Sequence, residues 1–150
     1  MGTVNYTIQR NVTGTAFTVI WASLSTSSGA LDVGQAFPSS IDYAIGGMFF
    51  SDKSIHVATP FTQATSDTQL LIEGSNFVNV HTPTSGSMFA SLTDAQGNAL
   101  LFTPATSPRI EAILENTVYI RPRVTTTSAA NMALDVFLTL TSNRNARSGM

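Results

Sequence analysis

The chain has 150 residues, 11% of them charged, a net charge of −2 and no cysteine. That length suits one domain that buries its own core without staples, and the missing thiols exclude disulfides and thiolate metal or redox sites. The slight negative charge argues against a general nucleic-acid binder. No apolar run is long enough for a helical membrane span, and residues 1–6 lack the basic and apolar regions of a secretory signal.

The charge deficit is made up by hydroxyls, 21 threonines and 17 serines. Threonine favours strands and serine favours turns, so composition already leans to β-structure. Such a composition fits either a neutral, Thr-rich β-sandwich or a surface partly covered by partners, since interface cores are depleted in charge.

In chain order, Val4, Tyr6 and Ile8 recur at period two and predict a half-buried strand over Thr3–Arg10. Thr15–Thr26 is a longer strand with bulk on both faces: Phe17, Val19 and Trp21 on one, Thr18, Ile20, Ala22 and Leu24 on the other. Trp21 is expected in the core or at a subunit contact. Residues 27–40 read as irregular, Ile41–Ile45 as a short strand, and Met48-Phe49-Phe50 as an apolar run that an extended backbone cannot wholly bury. Ser54–Thr59 and Gln69–Glu73 are strands.

Ser87–Thr93 and Ala99–Thr103 form two strands around the turn residues 94–98. Arg109–Glu115 suits one helical turn or an extended segment, and the extended form agrees with its neighbours. Thr117–Val124 is a strand containing Pro122, which places it at an edge or a bulge. Met132–Thr141 is the last strand, and residues 143–150 are a polar tail after a single domain over 1–142. About eight evenly spaced strands predict an all-β fold, an antiparallel β-sandwich of jelly-roll-like type.

Chemistry is sparse. His56 and His81 share no ligand spacing, and His56 needs Glu73 or Asp52 brought to it before it can act as a base or ligand. There is no Gly-x-Ser-x-Gly and no phosphate loop, and Glu111 with Glu115 is a weak carboxylate pair. The residues predict no catalytic site, no metal site and no cofactor. Arg121 and Arg123, on one face about Pro122, repel each other unless carboxylates answer them. Glu111 or Glu115 within the chain, an acidic partner across an interface, or solvent are the available answers.

Several pieces of the chain resemble a family of small virion proteins of tailed bacteriophages. They are Trp21-Ala22, Glu73-Gly74-Ser75-Asn76, Leu92-Thr93-Asp94-Ala95-Gln96-Gly97-Asn98-Ala99-Leu100, Ile110-Glu111 with Leu114-Glu115, and Tyr119-Ile120-Arg121-Pro122-Arg123-Val124. The order and spacing of the pieces are similar too, over most of the chain. The resemblance implies a head decoration or cement protein of the virion, made in the host cytoplasm and without enzymatic activity. Its partner would be the major capsid protein, with no nucleic acid or membrane partner, and it would form a homo-oligomer, a trimer. Trp21, Phe49, Phe50, Arg121 and Arg123 are the expected interface residues. A glycan-binding module of a phage fibre or tail is the alternative, with Trp21, Tyr43, Phe49 and Tyr119 as stacking aromatics.

Overall fold

The computed structural model describes residues 2–10, 16–27, 30–38, 52–57, 69–76, 88–103, 106, 108–126 and 132–141. These contain no α-helix. Their strands are β1 (Gly2–Val4), β2 (Tyr6–Arg10), β3 (Ala16–Ser27), β4 (Ala30–Gly34), β5 (Phe37–Pro38) and β6 (Asp52–Val57), followed by β7 (Gln69–Ser75), β8 (Ala90–Ser91), β9 (Leu101–Phe102), β10 (Arg109–Ala112), β11 (Tyr119–Thr126) and β12 (Met132–Thr141). Eight of them follow one hydrogen-bonded path, β10-β6-β12-β3-β4-β11-β7-β8, and four short ones attach at its sides. Every described pairing is antiparallel except β1 with β4.

The path folds into an antiparallel β-sandwich. β10, β6, β12, β3 and β2 form the first sheet; β4, β11, β7, β8 and β9 belong to the second. The corner is β4, which pairs with β3 at Thr26–Leu31 and with β11 at Val33–Arg123. Alternate residues of both layers meet in one core: Phe17, Val19 and Trp21, with Leu134, Val136, Leu138 and Leu140, oppose Leu70, Ile72, Ile120, Val124 and Phe102. Arg109 helps close an open side. From edge strand β10 its Nη2 donates to the Leu101 carbonyl at 3.0 Å, and its guanidinium lies 4.7 Å from the Phe102 ring centroid.

Most strands expected from alternation are found with small shifts, but of Ser87–Thr93 only Ala90–Ser91, and of Ala99–Thr103 only Leu101–Phe102, are strand; Ser87 lies outside the described residues. The span Thr3–Arg10 keeps its alternation, with Val4, Tyr6 and Ile8 half-buried and Thr3, Asn5, Thr7 and Gln9 exposed. It changes partner at Asn5, running parallel to β4 before it and antiparallel to β3 after it. Arg109–Ala112 is a strand, as its neighbours implied. The expected strand at Ile41–Ile45 lies outside the described residues.

Three expectations are corrected. Leu24 is not on the face of Thr18 and Ile20; it is fully buried with Phe17 and Trp21. Ala22 and Ser23 together oppose Asp135 alone, because Leu24 pairs with Leu134 and Trp21 with Val136. This bulge turns the strand by one residue. Ser23 takes φ 58°, and its amide donates to Asp135 Oδ1 at 2.9 Å. Residues 30–34 and 37–38, read as irregular, are strands, because a pairing edge rather than local pattern recruits them.

Pro122 is not on an edge strand. β11 has β7 on one side, with Pro122 opposite Ile72, and on the other side it pairs with β5 at Ile120 and β4 at Arg123. The proline sits where that second neighbour is interrupted. Gln35 leaves the ladder there; its amide donates to the Val4 carbonyl, and its own carbonyl accepts the Trp21 indole N–H at 2.9 Å. Gly34 makes room: a Cβ there would lie 2.6 Å from Pro122 Cδ and Cγ and 2.8 Å from Trp21 Cδ1. Gly34→Ala is therefore expected to destabilise the fold by about 1–3 kcal/mol, read from urea unfolding followed by Trp21 fluorescence.

Candidate interaction surface

Arg121 stands directly across from Glu73 in the β7–β11 ladder, and Arg123 is two residues further along the same outward face. Arg121 Nε donates to Glu73 Oε2 at 2.9 Å, and Arg123 Nε and Nη2 donate to Oε1 at 2.8 and 2.6 Å. Glu73, not Glu111 or Glu115, answers the two arginines. Glu111 pairs instead with Arg109 at 3.1 Å on β10. The Arg121 guanidinium also lies 3.5 Å from the centroid of the Phe89 ring. Glu73 and Arg121 are buried, at 3% and 6% exposure, whereas the Arg123 side chain is 35% exposed. This cluster ties the second sheet together within one chain, and Arg121 has little surface left for a partner.

Beside it, Glu115 accepts from both the amide and the hydroxyl of Thr93, which joins the Leu92–Leu100 hairpin to the segment before β11. Burial pushes the Glu115 carboxyl up, but the hydrogen bonds from the Thr93 hydroxyl and amide outweigh it and hold the group below its ordinary value. The turn between the hairpin arms is held by Asp94, whose carboxylate accepts from the amides of Gln96 and Asn98. Those bonds, the Asn98 amide foremost, lower its pKa as well. Burial lowers the pKa of Lys53, against the raising pull of Asp52 and Glu115, and its Nζ donates to Asn116 Oδ1 at 2.6 Å.

A hollow of about 320 Å³ opens here, lined by Gly74, Asn76, Phe89, Ser91, Glu115 and Thr117 among others. Among the described residues that line it there is one carboxylate, Glu115. His56 lies elsewhere, on the outward face of the first sheet against Phe137, with ring centroids 6.0 Å apart. Glu73, one acid named as its possible partner, is taken up by the arginines. No group of three His, Asp or Glu suited to a metal occurs among the described residues.

Of the expected interface residues, Trp21 is 0% exposed and belongs to the core. This corrects its assignment both to a contact and to a sugar platform. Tyr119, 9% exposed, packs with Phe89 and Ala36 in a second, smaller cluster. Phe49, Phe50, Tyr43 and His81 lie outside the described residues.

Among the described residues, one apolar surface lies on the outward face of the first sheet. Register places Thr7, Ile20, Phe137, His56 and Ile110 in one row across β2, β3, β12, β6 and β10. Ile110 is 63% exposed, and Ile20, His56 and Phe137 are half-buried. The next row is Gln9, Thr18, Thr139, Ser54 and Ala112, uncharged throughout. Alternation in β3 and β12 showed bulk on both faces; only register could show that the outward residues align.

In comparisons with protein-family models, curated proteins and solved structures, nothing matches the chain.

Two outcomes are expected from the cluster chemistry. Glu73→Ala strands the buried Arg121 charge and should cost about 3–5 kcal/mol in urea unfolding. Arg123→Ala, screened by solvent, should cost about 1 kcal/mol or less. For Glu115, a pKa below the ordinary 4.5 means its contribution is complete above pH 4.5 and is lost as pH falls through the lower folded value. Removing one donor with Thr93→Val should make stability fall less steeply below pH 4.5 than in the wild type, measured by urea midpoints across acid pH.

Proposed function

We propose that the protein is a non-enzymatic structural component of a tailed-phage virion, a head decoration or cement protein that binds and stabilises the lattice of major capsid protein. The observation that carries this reading is the convergence of the sequence pieces that resemble that family. Residues 73–76, residues 92–100, Glu115 and residues 119–124, separated in the chain, meet in one unit of the second sheet, whereas Trp21-Ala22 and Ile110-Glu111 lie on β3 and β10 of the first. Glu73 answers Arg121 and Arg123. A Cβ on Gly74 would lie 2.6 Å from Leu92 Cδ2 and 2.7 Å from Thr117 Oγ1. Asn76 Oδ1 accepts the Val118 amide at 3.1 Å, and Glu115 holds Thr93. Pieces that support one another in space make a framework, and a framework is what a shared fold requires; this supports reading the resemblance as one of architecture.

The charge-poor outward face of the first sheet supports a role in contact rather than in chemistry. In this reading the protein is assembled on phage heads, works without a cofactor, and engages capsid subunits as a homo-oligomer, three copies by the family resemblance. The glycan-binding alternative loses support with Trp21 and Tyr119 both buried.

The test is co-sedimentation of the purified protein with assembled capsids and with unassembled capsid subunits, together with its copy number in purified virions. Binding to assembled capsids alone, at a copy number near that of the capsid protein, is the expected result. Absence from virions, or a handful of copies confined to tails, would overturn the cement role.

A further inference from the structure

We infer that the outward face of the first sheet docks on the outward face of the second sheet of another copy of this chain, head to tail. The two faces carry matching rows. On the second sheet, register aligns Thr3, Val33, Arg123, Leu71 and Leu101 across β1, β4, β11, β7 and β9. Val33, Leu71 and Leu101 are half-buried, and none belongs to the core. Each row crosses five strands, a span of about 19 Å at the usual strand spacing. Both are apolar over most of that length, so a copy laid on a copy covers the bulk that one sandwich leaves on its surface.

Charge selects the pairing. Among the described residues the outward face of the first sheet carries two carboxylates, Asp52 and Asp135, and no cation. They flank the apolar row from opposite ends of β12, where Asp52 is opposite Thr141, about 20 Å from Asp135. Arg10, at the end of β2, turns the other way, its guanidinium 5.4 Å from the Phe17 ring centroid. In the second row the one charged residue is Arg123. Two guanidinium groups share the single Glu73 carboxylate, so one positive charge is left over, on the more exposed arginine. Docking either face on its own kind sets like charges together. Docking one on the other sets the acidic face over the cationic row.

A contact between two different faces is heterologous. Each copy keeps one free face of each kind, so assembly proceeds past two copies, to a ring where the rotation between copies closes and to an open filament where it does not. No disulfide contributes, so packing, hydrogen bonds and the opposite charges of the two faces hold the contact. The number three in the capsid reading is one such closure, but the docking rests on the two faces and not on that reading.

Complementation between two variants tests it. Phe137→Arg disables the first face and Leu71→Asp the second; both side chains point outward, so circular dichroism and Trp21 fluorescence should match the wild type. At tens of micromolar, light scattering should find the wild type as an oligomer of three or more copies and each variant alone as a monomer. An equal mixture of the two should run as a dimer, because one intact face of each kind remains. Should either variant unfold, Ile20→Thr and Leu101→Thr probe the same faces. A monomeric or strictly dimeric wild type, a Leu71→Asp variant that assembles normally, or a mixture that stays monomeric would overturn the inference. A monomer that still binds capsids would sink the docking and leave the cement role standing.

Discussion

The second sheet depends on a carboxylate buried on its outward side. A lone ionised Glu73 at 3% exposure is far too costly to hold, and two arginines on the facing strand make it tenable. Arg121 is buried with it and covered by the Phe89 ring, so the ion cluster also anchors the segment that carries Met88 and Phe89 over the sheet. The arrangement enforces register. A slip of one residue between β7 and β11 would turn Arg121 and Arg123 into the core and expose Ile120 and Val124.

Around that fixed ladder the neighbouring pieces fit by close approach. Gly74 lets Leu92 and Thr117 reach the backbone, Thr93 and Glu115 link the hairpin to the segment entering β11, and Asp94 sets the turn of the hairpin. On the opposite side of β11, Gly34 admits both Pro122 and Trp21. The first sheet has the complementary character: few charges, regular strands, and one bulge at Ser23 that keeps Leu24 in the core while Asp135 stays outside.

The chain alone determined that the protein is all-β, because period-two alternation and turn chemistry act over a few residues. The alternation of Thr3–Arg10, the hairpin turn at residues 94–98, and the burial of Leu134, Val136, Leu138 and Leu140 were all legible there. So was the need of Arg121 and Arg123 for a carboxylate. Which carboxylate answers them was not legible: Glu73 is 48 residues from Arg121, and only the β7–β11 register brings them together. Alternation likewise misplaced Leu24, since a bulge inserts one residue and reverses every face beyond it. The strands within residues 30–38 exist because a neighbouring edge satisfies their backbone, and Pro122 is tolerated inside the sheet because that edge is broken beside it. The rows of outward apolar residues were the least legible feature. Each strand shows one or two such residues, and their alignment across five strands is set by tertiary pairing, which a pattern local to one strand does not contain.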